Sequence, residues 1–228
     1  MWLTWNQLPK NMQTEAVRPY YDVLNERRVS LLVKRVFDFS AALVLLVLLS
    51  PIFLVCAWWI KLDSHGPVFF RQERVTAYGK VFKIHKFRTM ITGADQQGSQ
   101  ITVNNDSRVT RSGAFLRKYK LDEIPQLLDV LAGNMSFVGT RPEVLKYVQQ
   151  YTPEMRATLL LPAGITSQAS IEYKDESSLI ENAADVDRVY LTQVLPQKMK
   201  YNLASLKKFS LWEELNTMFQ TVVAVGVN

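Results

Sequence analysis

Ser40-Ala-Ala-Leu-Val-Leu-Leu-Val-Leu-Leu-Ser50-Pro51-Ile-Phe-Leu-Val-Cys56-Ala-Trp-Trp-Ile60 is the stretch on which the fold turns, because no charged residue interrupts it. It begins too late and runs too long for a signal peptide, and no small-residue cleavage site follows. About 20 residues of helix rise roughly 30 Å, enough to cross a hydrocarbon core. Pro51 stands at its middle, where it removes a backbone hydrogen bond and crowds the preceding turn at a cost of about 3 kcal/mol. The Ser50 hydroxyl is placed to satisfy a carbonyl freed by that break. Basic residues flank both ends, Arg27, Arg28, Lys34 and Arg35 before it and Lys61, Arg71 and Arg74 after it. The positive-inside rule then puts both flanks on the cytoplasmic face. Two arms of about 15 Å that enter one leaflet and return satisfy these facts, and a kinked transmembrane helix satisfies most of them. The residues alone leave both open.

Before this stretch, Met1 to Asn11 carries Trp2 and Trp5 without a pattern that assigns it. Pro19 to Phe39 reads as one basic amphipathic helix, with Leu24, Leu31, Leu32 and Val36 apolar and Arg27, Arg28, Lys34 and Arg35 polar. It suits a membrane surface, or ordinary helix packing. After the stretch, Val68 to Arg74 and Tyr78 to Ile84 predict a short hairpin around Gly79-Lys80. His65 and His85 stand alone and fit turn or surface positions. Lys86 and Arg88, two apart, are expected to share a face, as a solvated patch or a phosphate-contact strip. Gln96 to Ser107 is polar and reads as a loop.

With 228 residues and 48% hydrophobic composition, the chain can bury one core, or a small domain plus a membrane element. One cysteine rules out a disulfide scaffold, and with two histidines at this spacing it rules out a Cys/His metal cluster. Cys56 reads as inert packing. The net charge is +6, and Lys83 to Lys120 alone holds eight basic residues against Asp95 and Asp106, the same surplus. Such a concentration fits a polyanionic partner: a nucleotide, a phospholipid surface or a nucleic acid.

Directly after that basic run comes Arg117-Lys-Tyr-Lys-Leu-Asp122-Glu123-Ile-Pro125-Gln-Leu-Leu-Asp-Val-Leu-Ala-Gly133, followed by Val138-Gly-Thr-Arg141-Pro142. Asp122 is expected to cap a short helix with Pro125 in its first turn, Leu127, Leu128 and Leu131 on one face and Gly133 at its end. The helix dipole should then keep Asp122 ionised, as a nucleophile requires, with Arg117 and Arg141 placed to clamp phosphate oxygens. Capping alone would also explain Asp122. A second pair, Asp175-Glu176, lies in a polar stretch and reads as solvated. Beyond Pro142, Glu143 to Tyr151 and Pro153 to Leu161 are expected as short helices and Ser167 to Tyr173 as extended. Asp185 to Lys208 and the segment holding Leu211, Trp212, Leu215, Met218, Phe219, Val222 and Val223 read as helices.

From Lys34 to Val223 the chain resembles the monotopic phosphoglycosyl transferases among the bacterial sugar transferases. The resemblance rests on Ser50-Pro51 within its apolar segment, Gly66-Pro67-Val68-Phe69-Phe70, Lys86-Phe87-Arg88-Thr89-Met90 and Leu121-Asp122-Glu123-Ile124-Pro125-Gln126-Leu127. Met135-Ser136-Phe137-Val138-Gly139 with Arg141-Pro142, and Gly164-Ile165-Thr166, complete it. It implies a mixed α/β, helix-rich fold with a re-entrant membrane hairpin broken at Ser50-Pro51 and interfacial amphipathic helices. The expected organisation is residues 1–33 as an N-terminal extension with its amphipathic helix, 34–62 as the re-entrant helix and 63–228 as a catalytic domain. The site is expected on the cytoplasmic face of a bacterial inner membrane.

The resemblance further implies that Asp122 is the nucleophile and Glu123 its Mg²⁺-associated partner, with Lys86, Arg88, Arg117 and Arg141 around phosphate and nucleotide. A UDP-sugar would be the donor and polyprenyl (undecaprenyl) phosphate the acceptor, with membrane lipids as surroundings, no nucleic acid, and a homodimer left open. Family members usually carry Asp where Asn134 stands and Pro where Thr140 stands, and Ala163 interrupts a usual Pro-Gly; none of these removes a catalytic group. Two rival readings are a non-covalent glycosyltransferase that releases UDP and a membrane-anchored scaffold that binds nucleic acid through the basic strip.

Overall fold

A computed structural model describes residues 2–94, 106–173 and 185–226. Asp95, most of the polar loop from Gln96, and the Asp175-Glu176 pair lie outside the described residues. The chain is helix-rich, with two small two-stranded sheets.

Helix α1 spans Arg18–Glu26 and α2 spans Arg28–Leu48, so the single helix expected over Pro19 to Phe39 is two. The chain departs from helical geometry at Arg27 (φ −106°, ψ 28°). Pro19 sits in the first turn of α1, which buries Tyr20, Tyr21 and Leu24 against the body. That face therefore packs inward rather than onto a surface. The unassigned N-terminal residues join the same core: Leu8, Met12 and Val17 lie with α1, Tyr147 and Met199, while Trp2 stacks on Tyr21 at 5.4 Å.

Helix α2 inverts the usual arrangement. Its buried stripe is Lys34, Asp38 and Ala42, four residues apart, whereas Leu32 is 65% and Val36 59% exposed. Lys34 pairs with Glu214 and donates to the Val138 carbonyl at 3.1 Å; Asp38 accepts from the Ser136 hydroxyl at 2.7 Å. Arg35 donates to the Val130 and Leu131 carbonyls at 2.7 and 3.1 Å. Lys34 and Arg35, expected on the polar face of an amphipathic helix, instead fasten α2 to the body.

Helix α3 spans Ser50–Asp63, with Leu49 between it and α2 and Pro51 in its first turn. The Ser50 hydroxyl donates to the Val47 carbonyl at 2.8 Å, the satisfaction expected at such a break. No single described helix is long and apolar enough to cross a membrane; α2 and α3 meet that test only as a pair bent by 63°. Leu54, Val55 and Trp58 leave the outer face of α3 exposed and apolar.

The expected hairpin is present: β1, Phe69–Val75, pairs antiparallel with β2, Val81–Phe87, with Phe70 opposite Lys86. Tyr78 and Gly79 turn the chain at positive φ. Helix α4, Arg111–Lys118, starts where the Thr110 hydroxyl accepts from Gly113 N at 3.0 Å and Asp63 accepts from Ser112 N at 2.9 Å. Helix α5 is Gln126–Leu131, and Gly133 ends it at φ 79°. After β3, Met135–Val138, come α6, Leu145–Val148, a 3₁₀ stretch at Met155–Leu160, and β4, Ala163–Thr166. Helix α7, Gln168–Glu172, occupies the segment expected to be extended, because the Ser167 hydroxyl caps it by accepting from Ser170 N at 3.1 Å. The chain closes with α8, Val186–Val189, a π turn at Tyr190–Val194, α9, Leu195–Lys207, and α10, Leu211–Gly226.

Strands β3 and β4 are parallel, with Ser136 opposite Gly164 and Val138 opposite Thr166. Gly139 N donates to the Thr166 carbonyl at 3.0 Å and Gly164 N to the Thr140 carbonyl at 2.9 Å. Thr140 thus contributes a backbone oxygen that proline would supply equally. A Cβ on Gly164 would fall within contact of the Gly139 N, C and O atoms, and one on Gly139 would lie 2.6 Å from the Pro162 carbonyl. Gly164→Ala is therefore expected to cost about 1–3 kcal/mol by overpacking, lowering Tm by roughly 2–12 °C. A melting curve that overlays wild type would show that these backbones do not meet.

Candidate active site

Strand alternation delivers the first site residue. Phe82 and Ile84 point into the core made with Leu127, Val130 and Phe137, and Lys86 follows two residues on, on the same face. Helix α4 ends at Lys118 with Tyr119 as its cap, Lys120 turns the chain in the left-handed region (φ 55°), and Leu121–Glu123 forms a 3₁₀ turn. Arg141 comes from the loop after β3. Glu123 Oε1 accepts from Lys86 Nζ at 2.7 Å and from Arg141 Nη2 at 2.8 Å, so three distant segments close on one carboxylate oxygen. Arg117, one turn before Lys120, is braced by a 2.8 Å hydrogen bond from its Nε to the Thr89 hydroxyl.

Asp122 is buried beside this cluster but does not cap α5, whose N-cap position is Pro125. The expected ionising influence of the helix start is thereby lost. Burial, then the charge of Glu123, raise the Asp122 carboxyl above its ordinary value; Lys86, Arg117 and Lys120 oppose this without cancelling it. Burial would raise Glu123 too, but Arg141 and Lys86, by charge and hydrogen bond, hold it well below the usual carboxylate range. The pair is therefore split: Glu123 is anchored as the anion, and Asp122 is the carboxyl whose charge is least compensated.

Arg88 is not part of the cluster. Strand β2 ends at Phe87, so the two-residue alternation that aligned Arg88 with Lys86 stops one residue short. Its buried guanidinium donates to the Ser64 carbonyl at 2.8 Å and to that of His65, closing the end of α3. Other members of the basic run are dispersed as well: Arg108 is held by Asp106 at 2.6 Å, and Lys118 lies over the Tyr119 ring. The strip expected as one polyanion surface is thus divided among separate tasks.

His85, expected on a turn or surface, sits on β2 with its Nδ1 2.8 Å from Asp129 Oδ1, while Asp129 Oδ2 accepts from His85 N at 2.8 Å. The buried Asp129 thereby ties α5 to the strand that carries Lys86. Its only trace in the sequence is a carboxylate among the leucines of an apolar helix. Beside the Glu123–Arg141 contact lies a cavity of about 370 Å³, walled by α2, α5, the β3–β4 sheet, α7, α10 and, through Lys198, α9.

A family model described as "Bacterial sugar transferase" matches residues 29–228. The chain is 36% identical over 193 residues to the UDP-N-acetylgalactosamine-undecaprenyl-phosphate N-acetylgalactosaminephosphotransferase of Aeromonas hydrophila, covering 83% of this chain and 43% of that one. It is 34% identical over 224 residues to the UDP-glucose:undecaprenyl-phosphate glucose-1-phosphate transferase of Escherichia coli K12, covering 96% of this chain and 45% of that one. It is 41% identical over 150 residues to the exopolysaccharide production protein PSS of Rhizobium leguminosarum bv. phaseoli, covering 63% of this chain and 75% of that one. The chain thus spans less than half the length of the first two.

Proposed function

The chain belongs to the bacterial sugar transferase family, and we propose that it moves a phospho-sugar from a UDP-sugar to polyprenyl phosphate, with Asp122 as the nucleophile. The observation that carries this reading is the split carboxylate pair: a buried Asp122 next to Glu123, which is held by Lys86 and Arg141. An Asp122 oxygen attacks the β-phosphorus, the bond from that phosphorus to the bridging oxygen breaks, and UMP leaves with that oxygen. A phosphosugar–aspartyl intermediate, an acyl phosphate, remains. An oxygen of polyprenyl phosphate then attacks the same phosphorus and releases the Asp122 carboxylate, giving polyprenyl-diphosphate sugar. Lys86, Arg117 and Arg141 supply fixed positive charge for the transferring phosphoryl group.

Among the described residues no three His, Cys, Asp or Glu side chains form a metal cage. Two adjacent carboxylates supply hard oxygens that suit Mg²⁺ when substrate phosphates complete its shell. Glu123, with Asp122 beside it, would hold the ion, which when bound neutralises charge on the diphosphate.

The inverted helix α2 supports a membrane seat. Lys34, Arg35 and Asp38 are engaged by the body, and apolar side chains such as Leu32 and Val36 face outward, continuing onto α3. A shallow re-entrant hairpin on the cytoplasmic face would hold Asp122 at headgroup depth, where the acceptor phosphate lies. The test is to incubate the membrane-embedded protein with a panel of UDP-sugars and Mg²⁺, with and without polyprenyl phosphate. UMP is the expected nucleotide, with label appearing in lipid only when acceptor is present; release of UDP instead would assign the chemistry to the glycosidic bond and overturn the reading.

A further inference from the structure

The cavity that Glu123 lines combines charge with aliphatic surface. Lys120, Arg141 and Lys198 bring cations to its lining, and Leu45, Leu49, Ile124, Leu127 and Phe137 bring apolar wall. Its volume of about 370 Å³ lies at the small end of the ligand-site range, roughly 300–1,000 Å³. Leu45 comes from the last turn of α2 and Leu49 caps that helix just before the Ser50-Pro51 break, and their neighbours Val44 and Leu48 are exposed apolar residues on the outer face. The wall of the cavity and the outer apolar surface are thus two sides of one helix.

Resting on the reaction proposed above, we propose that this cavity seats the phosphate-proximal isoprene units of the polyprenyl phosphate acceptor. The acceptor's phosphate would lie by Lys120 and Arg141, beside Asp122. The complementarity is direct: Lys120 and Arg141 beside Glu123 suit a phosphate, and the aliphatic side chains of the same lining suit a branched hydrocarbon. A nucleoside fits less well. The Thr166 and Thr221 hydroxyls are hydrogen-bonded to each other at 2.7 Å, and the Ser170 hydroxyl is 3.0 Å from that of Ser167. These hydroxyls are therefore engaged within the wall. The donor then approaches from the Arg117–Thr89 side, and the two phosphates meet across Asp122.

Leu45→Trp and the milder Ala224→Leu, made in the full chain in lipid nanodiscs, each intrude on this space. Each is expected to raise KM for polyprenyl phosphate about tenfold or more while changing KM for the UDP-sugar by less than about twofold. A raised donor KM with an unchanged acceptor KM would give the cavity to the nucleotide, and no change in either would leave it without a catalytic occupant; both overturn the proposal. A second measurement covers variants that misfold. A farnesyl phosphate bearing a diazirine near its phosphate, photolysed on wild-type protein, should label the peptides around Leu45–Leu49 or Ile124–Leu127, and labelling confined elsewhere overturns the assignment. Because labelling needs no donor, it answers the cavity question even if wild type releases no UMP with any UDP-sugar, a result that would sink the underlying reaction instead.

Discussion

Asp122→Asn is expected to lower turnover by at least about 10³-fold and to remove the covalently loaded enzyme altogether. Asparagine keeps the shape of the side chain and loses the attacking oxygen anion. The fold should not suffer, and the sign of the Asp122 shift says why. A carboxyl whose pKa is raised on folding disfavours its own ionised form in the native state. Stability is therefore lost as pH rises from the unfolded value through the folded one. A neutral side chain there is relieved of that penalty at neutral pH, so Tm should match wild type or exceed it slightly. Intact mass after mixing with UDP-sugar in the absence of acceptor checks the intermediate, and a melting curve checks the fold. A variant that turns over near the wild-type rate, or that still gains the mass of a phosphosugar, excludes Asp122 as nucleophile. In wild type, the same raised pKa means that the first half-reaction slows as falling pH protonates Asp122, at a higher pH than an exposed aspartate would show.

Local signals carried much of this structure because their physics is local. Ser50-Pro51 announced a break, and the Ser50 hydroxyl performs the rescue it was assigned. Gly79-Lys80 marked a hairpin whose seven-residue register is complete. The failures share a cause, which is dependence on partners distant in the chain. The parallel pairing of β3 with β4 joins four-residue strands across the Arg141 loop and α6, and neither strand is long enough to show a period. Lys34 and Arg35 look like membrane-surface cations until Glu214 and the Val130 and Leu131 carbonyls are beside them. Arg88 shares a face with Lys86 only while the strand continues. Asp122 and Glu123 were legible as a pair, but which of the two is held as the anion depends on Arg141 and Lys86, which approach from either side of them in sequence.

That asymmetry makes Glu123→Gln the more informative second variant. It removes the acceptor oxygen's charge from beneath Lys86 and Arg141, and it removes the like charge that helps to raise Asp122. Turnover should fall about 10²–10³-fold, the scale of losing one preorganised electrostatic group, because the two cations lose the partner that fixes them. What remains should show a shifted pH profile. With Glu123 neutral, its raising charge is gone while Lys86, Arg117 and Lys120 still act on Asp122, so the Asp122 pKa falls and the acid limb of the first half-reaction moves to lower pH. Stability separates this electrostatic account from simple damage. Glu123 has a depressed folded pKa, so it stabilises the native state above its unfolded value, about 4.3, and that contribution is lost as pH drops toward the folded one. The Tm deficit of the Gln variant should therefore be largest at neutral pH and shrink below about pH 4. If the deficit is independent of pH, or the acid limb stays where it is in wild type, Glu123 is not the anion that sets the charge of this site.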